Sequence, residues 1–118
     1  MSSPPALIDV SALEAALQKF ADERDWNQYH SPKNLAMALT GEIGELVEIF
    51  QWLTEEQSKA VAQDPKTARA VRDELADVLL YMVRLSSVLG VDLNEAVTAK
   101  LASNGQKYPV GDSTPKRM

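Results

Sequence analysis

The sequence predicts an all-α protein, and three observations carry that reading. Apolar residues Leu39, Ile43, Leu46, Phe50 and Leu53 recur at three- and four-residue steps, the spacing that puts side chains on one face of a helix. Helix-start signals punctuate the chain at Ser11 with Glu14, at Ser31-Pro32, at Asp64-Pro65 and at Asp92 with Glu95. No segment alternates apolar and polar residues as a half-buried strand would.

Taken in order, a first helix should begin at the Ser11/Glu14 capping box, with Leu13, Leu17 and Phe20 as its apolar stripe and Asp22 to Asp25 as its solvated end. Trp26 to His30 breaks the periodicity and reads as a loop. Ser31 as N-cap and Pro32 at the first position open a second helix, expected to run to about Leu53, roughly 30 Å at 1.5 Å per residue. The polar stretch from Thr54 to Gln63 should hold one or two helical turns. Asp64-Pro65 should then start a third helix that Gly90 ends. Asp92 and Glu95 open a fourth, expected over Leu93 to about Ser103 and stopped near Gly105. The expected organisation is a flexible N-terminus over 1–10, one helical domain of four main helices over 11–110, and a flexible tail over 111–118.

Composition narrows the function. With 118 residues, 45% of them hydrophobic and 25% charged, the chain matches an ordinary single globular domain. It has no cysteine, which excludes thiolate metal sites and disulfides and favours a reducing compartment. A net charge of −5 argues against binding nucleic-acid polymers or anionic membranes, since phosphate contacts need clustered Lys and Arg. A small phosphorylated substrate stays open, because bound divalent ions can supply positive charge. There is no signal-peptide pattern at the start and no run of roughly 20 apolar residues, so a cytoplasmic location is the default.

The chemistry sits on two of the helices. Glu42 and Glu45 border the apolar stripe of the second; Glu74 and Asp77, again three apart, border Val71, Val78, Met82 and Leu85 on the third. Carboxylates turned toward a core are costly unless a cation meets them. Such acids on a helix, Glu48 among them, are ordinarily solvated and paired with Lys or Arg. Here both pairs touch the apolar stripe, and the second helix has no lysine after Lys33. Four oxygen donors and no Cys suit a hard cation, Mg²⁺ or Mn²⁺, and Mg²⁺ typically joins protein carboxylates to substrate phosphates. A carboxylate-bridged di-iron bundle would need a Glu-x-x-His pair on each of two helices, and the chain has a single histidine, His30. The third helix is apolar nearly all round, more than so short a chain can cover, which predicts a homo-oligomer, dimer or tetramer.

Glu42-x-x-Glu45 followed by Glu74-x-x-Asp77 resembles the metal signature of the all-α MazG-like nucleotide pyrophosphohydrolases. Glu23-Arg24-Asp25-Trp26 through His30-x-Pro32-x-Asn34-Leu35, Gly41-Glu42-x-Gly44-Glu45-Leu46 to Phe50-Gln51-Trp52, and Lys100-x-x-x-Asn104-x-x-Lys107-Tyr108-Pro109 are similar to the dCTP pyrophosphatase branch. The likeness covers about residues 13 to 110. Gly41 departs from the many members that carry a further Glu there, and agrees with the dCTP branch.

The resemblance implies hydrolysis of a nucleoside triphosphate between the α and β phosphates, as nucleotide-pool house-cleaning. It implies Mg²⁺ on Glu42, Glu45, Glu74 and Asp77, with Glu42 or Glu45 as the base that takes a proton from water. It also implies a nucleobase pocket lined by Trp26, His30, Trp52 and Tyr81. Lys100, Asn104 and Lys107, with Tyr108, would bind substrate at the C-terminal end, and Lys100 and Asn104 share a helix face. Taken alone, the tryptophans read as core or interface anchors, His30 as a loop histidine, and Lys100 as a solvated helix lysine favoured by the dipole. Two alternatives stand beside dCTP hydrolysis. One is the same fold preferring dUTP or nucleotides generally; the other is a non-enzymatic helical interaction module with a structural ion site.

Overall fold

In a computed structural model, which describes residues 4–111, the chain is all-helical, with no strand among those residues. Five α-helices follow in order: α1 (Ser11–Glu23), α2 (Pro32–Phe50), the one-turn α3 (Glu55–Lys59), α4 (Ala68–Leu89) and α5 (Leu93–Lys107), with a 3₁₀ turn over Asn27–Tyr29. The expected flexible ends fall in part on residues 1–3 and 112–118, outside those described.

Local chemistry explains most of the boundaries. At α2, the Ser31 hydroxyl accepts from the Asn34 amide and Pro32 occupies the first helical position, as expected. Gly90 ends α4 at φ 70°, and the Val91 amide reaches back to the Ser86 carbonyl at 2.9 Å. A reciprocal capping box between Thr54 and Gln57 starts α3.

Four expectations shift. Helix α1 begins at Ser11 as expected, but the Ser11/Glu14 capping box does not form: Val10 is the N-cap, and Asp9, one residue earlier, accepts from both the Ser11 amide (3.0 Å) and hydroxyl (2.6 Å). Helix α2 stops at Phe50, short of Leu53, where the Thr54 box takes over. Asp64 does not open α4, which starts at Ala68. Its carboxylate accepts from the Lys66 amide in a preceding turn, which the Thr67 hydroxyl ties to the Val61 carbonyl. Helix α5 passes through Gly105 and ends at Lys107, where Tyr108, preceding Pro109, leaves the helical region.

The main packing is α2 against α4, with α1 lying against α4 and α5 projecting from the Gly90–Asp92 corner. The buried apolar core is thin: Ala21, Leu35, Val61, Val71 and Val83. The α2 stripe Leu39, Leu46 and Phe50 is half-buried, and Ile43 is exposed. Leu75, Leu79, Met82, Val97 and Leu101 are also exposed, so both α4 and α5 carry apolar surface toward solvent. The Cα radius of gyration is 17.5 Å; a compact chain of this length should be near ~13.5 Å. One chain is therefore open rather than a closed globule, with extents of 48 × 48 × 26 Å. Residues 4–10 run without helix, and the Leu7 and Ile8 amides donate to Asn94 Oδ1 at 2.8 and 3.3 Å.

Candidate active site

Two facing helix stripes build the site. On α4, Glu74, Asp77, Tyr81 and Arg84 follow one another at steps of three, four and three, one face of a helix. On α2, Leu35, Ala38, Glu42 and Glu45 do the same. The α2–α4 packing joins the two stripes, so the carboxylates meet at one end and an aromatic cleft opens at the other. Glu74 to Tyr81 spans seven residues, about 10 Å along the axis.

At the acidic end, carboxylate oxygens of Glu42, Glu45 and Glu74 lie within 4.8 Å of one another. Glu42 and Glu74 are half-buried and Glu45 is exposed, beside Glu48 and Ile49 at the lip. Glu42 Oε2 and Glu74 Oε2 are buried without any hydrogen-bond partner. Buried carboxylate oxygens are normally satisfied, so two orphans in one cluster ask for a cation. The cluster's strain shows in its proton affinities. Burial, then the neighbouring Glu42 and Glu45 carboxylates, push Glu74 up to about 7. Glu42 is raised by burial first, with the charges of Glu45 and Asp77 adding. An oxygen-only donor set with unsatisfied lone pairs fits a hard divalent ion.

At the other end, Leu17, Phe20, Trp26, His30, Leu35, Asp77, Leu80, Tyr81 and Arg84 line a cleft of about 170 Å³. A second hollow, shared by Trp26, Tyr29, His30, Asn34, Leu35, Ala38 and Tyr81, adjoins it. The end of α1 sets Trp26 in place. Asp25 takes the left-handed φ of 55°, and the Trp26 amide then bonds the Ala21 carbonyl at 2.9 Å. That closure stacks Trp26 edge-on against Phe20 (5.5 Å), and Trp26 meets His30 at 6.2 Å. The region read as a loop is thus a fixed 3₁₀ turn, held further by Asn34 Nδ2 donating to the Tyr29 carbonyl.

Sequence-predicted residues divide into two sets. Glu42, Glu45, Glu74, Asp77, Trp26, His30 and Tyr81 come together along the α2–α4 seam. Asp77 faces the cleft and acts electrostatically on Glu42, standing one turn from the three-carboxylate cluster rather than within it. Trp52, Lys100, Asn104, Lys107 and Tyr108 are not brought to the cleft within one chain. Trp52 is 87% exposed just past α2, Lys100 and Lys107 are exposed on α5, and Asn104 is buried there. Lys107 Nζ stands 5.3 Å from the Tyr108 ring centre.

Arg84 went unread in the sequence. It is only 4% exposed and donates to His30 Nδ1 (3.0 Å), Gln18 Oε1 (2.8 Å) and Asn27 Oδ1 (2.9 Å). The available signal was its isolation: a lone arginine in the run Tyr81-Met82-Val83-Arg84-Leu85, one turn beyond Tyr81 on the same face.

A family model described as MazG-like matches residues 38–116, and the chain belongs to the MazG-like family. It is 46% identical over 109 residues to a Bos taurus protein named dCTP pyrophosphatase 1, covering 92% of this chain and 63% of that one. The Homo sapiens protein of the same name is 44% identical over 108 residues, with 92% and 62% covered. The chain thus spans a little under two thirds of the length of these curated relatives. A crystal structure of a pyrophosphatase from Archaeoglobus fulgidus superposes with a TM-score of 0.78 at 37% identity, over 92% of this chain and 99% of that one.

Proposed function

We propose that this chain hydrolyses nucleoside triphosphates, dCTP foremost, between the α and β phosphates, releasing a monophosphate and pyrophosphate. The observation that carries the reading is the pair of orphaned oxygens on Glu42 and Glu74, on the same α2–α4 seam as an aromatic cleft. The relatives' names support the reaction and the base.

Glu42, Glu45 and Glu74, with Asp77 alongside, would hold Mg²⁺ or Mn²⁺, which when bound neutralises phosphate charge and makes water more acidic. Glu45 is the better base of the two Glu candidates, since its carboxylate is exposed to the lip where water enters. Its carboxylate takes the proton of the attacking water. Trp26 and Tyr81 present ring faces and edges for stacking on the base, and Leu35 and Leu80 exclude water from its far side. Asp77, midway along the α4 stripe, stands between base and phosphates.

The working unit in this reading is a homo-oligomer, a dimer or a dimer of dimers, in which α4 and α5 cover their exposed apolar faces against other copies. Trp52, Lys100, Asn104, Lys107 and Tyr108 would then reach the site of a neighbouring subunit. Residues 11–110 act as one domain. A chain without cysteine gains nothing from an oxidising compartment, and we place its work in the cytoplasm, on the nucleotide pool. Among the described residues, no helix is long and apolar enough to cross a membrane.

The test is turnover of a nucleoside triphosphate panel with Mg²⁺, products separated by chromatography, against a chelator control. Chelator-sensitive release of dCMP and pyrophosphate, fastest from dCTP, is the expected result. Release of inorganic phosphate instead, or no turnover of any nucleotide, would overturn it.

A further inference from the structure

We propose that Arg84 is a positioning residue for base selection, holding His30 as a neutral imidazole whose Nε2–H meets the acceptor edge of cytosine. The proposal rests on the nucleotide reading above and adds a residue and a specificity device to it.

The geometry permits one proton arrangement. A guanidinium donates from every nitrogen and accepts at none, so each partner of Arg84 must offer it a lone pair. Gln18 and Asn27 therefore turn their carbonyl oxygens to Arg84, at 2.8 and 2.9 Å. Their amide nitrogens then face Asp22 Oδ1, each at 2.8 Å, and Gln18 Nε2 also donates to Asn27 Oδ1 at 2.9 Å. The buried positive charge is linked through two amides to a carboxylate, and none of these groups can be flipped without opposing donor to donor. Those amide bonds, Asn27's first, hold the Asp22 carboxyl below its usual range. Among the described residues, no carboxylate forms an ion pair with Arg84 directly.

The third partner is the imidazole. Arg84 Nε donates to His30 Nδ1 at 3.0 Å, so that nitrogen carries no proton. A neutral ring then carries its proton on Nε2. Burial first, and then the guanidinium charge, lower the His30 pKa and keep the second proton off. The ring lines both the cleft and its adjoining hollow beside Trp26, and in this proposal Nε2–H is the group it offers a bound base there, a donor that cannot become an acceptor while Arg84 holds Nδ1.

Pyrimidine edges differ in how they meet such a donor. Cytosine presents N3 and O2, two adjacent acceptors. Uracil and thymine place N3–H there, so a fixed N–H faces another N–H unless the base shifts. A site built around one hydrogen-bond partner rejects the analogue that leaves it unpaired. Without Arg84 the imidazole could place its proton on either nitrogen and accept from N3–H, which relaxes the discrimination.

The chain has a single histidine, so ¹⁵N-histidine labelling of tag-free protein reports on His30 without assignment. At pH 7 the wild type should show one protonated nitrogen, Nε2, and an unprotonated Nδ1. Arg84→Met should give a mixture of tautomers and lower the dCTP over dUTP ratio of kcat/KM by at least about tenfold, with the dCTP over CTP ratio unchanged. A wild-type proton on Nδ1, or a doubly protonated ring, overturns the proposal. So does an Arg84→Met enzyme that slows on all nucleotides equally, as a purely structural residue would. Should Arg84→Met not fold, Arg84→Lys supplies the kinetic comparison, and the wild-type tautomer decides independently. Wild-type protein that turns over no nucleotide overturns the activity reading and the base-selecting role with it; a wrong tautomer in an active enzyme overturns this proposal alone.

Discussion

Glu42 on α2 and Glu74 on α4 each bury one carboxylate oxygen in the same cluster, and neither oxygen has a hydrogen-bond donor. The arrangement is unfavourable for two ionised carboxylates, and Glu74 is pushed up to about 7 by burial and by its acidic neighbours. A raised folded-state pKa means the native chain binds more protons than the unfolded one between the ordinary glutamate range and about 7. Its stability should therefore fall as pH rises through that window. Without metal, the protein should melt at a higher temperature at pH 5.5 than at pH 8. Mg²⁺ should reverse this: at a hundred times its Kd it adds about 2.7 kcal/mol, on the order of 10 °C in Tm for a domain of this size. Thermal melts at both pH values, with chelator and with Mg²⁺, check the sign, and a metal-free protein more stable at pH 8 would contradict it.

The same strain separates stability from activity at single residues. Glu74→Gln keeps the shape, supplies an N–H to Glu42 and removes one negative charge from the cluster. It should raise the metal-free melting temperature at pH 8 while removing Mg²⁺-dependent stabilisation and turnover. Glu45→Gln, at the exposed lip, should raise the metal-free melting temperature at pH 8 less than Glu74→Gln does, and lower kcat by about 10³-fold, the usual weight of a general base. Calorimetry and single-turnover kinetics on the two variants separate the roles. A fully active Glu45→Gln enzyme would remove Glu45 as the base.

Much of this site could be read from sequence because helix periodicity fixes which residues share a face. Glu42 with Glu45 and Glu74 with Asp77 were visible as acids bordering apolar stripes, and the seam joins them. What spacing could not give was the partner of each face. The Arg84–Gln18–Asn27–Asp22 network joins residues up to 66 apart in sequence, and its logic lies in donor and acceptor direction rather than in any local pattern. The cap of α1 and the start of α4 differ from expectation for a related reason, although α1 does begin at Ser11. Ser11 and Asp64 both belong to capping chemistry, but Asp9 competed for the first and a preceding turn captured the second. Lys100 and Trp52 stay apart from the cleft within one chain, and helix periodicity carries no information on what their exposed faces meet.

The exposed apolar surface makes the assembly a direct prediction. Leu75, Leu79 and Met82 follow at steps of four and three along α4, so they form one face, and all three are exposed. Light scattering should give a mass that is an integer multiple, two or more, of the 13.0 kDa chain at micromolar concentration. Leu79→Glu places a charge in that face and should weaken association at least about a hundredfold. A stable monomer of the unaltered protein would contradict the oligomeric reading.

A shared site makes a sharper prediction, because phosphates need cations that one chain's cleft does not offer. Arg84 is the cleft's cation, and its amide and imidazole partners occupy it. Lys100 lies exposed on α5, an arm that packs little against its own chain. If α5 of one copy completes the site of the other, the Lys100→Ala and Glu45→Gln defects fall in the same site of a mixed dimer. One of its two sites then carries both defects and the other carries neither. Each variant alone should be nearly inactive, and equal amounts exchanged at random should recover about one quarter of wild-type activity, half the dimers being mixed and each having one intact site. Activity that stays at the single-variant level after demonstrated subunit exchange would place Lys100 and Glu45 in sites built from one chain.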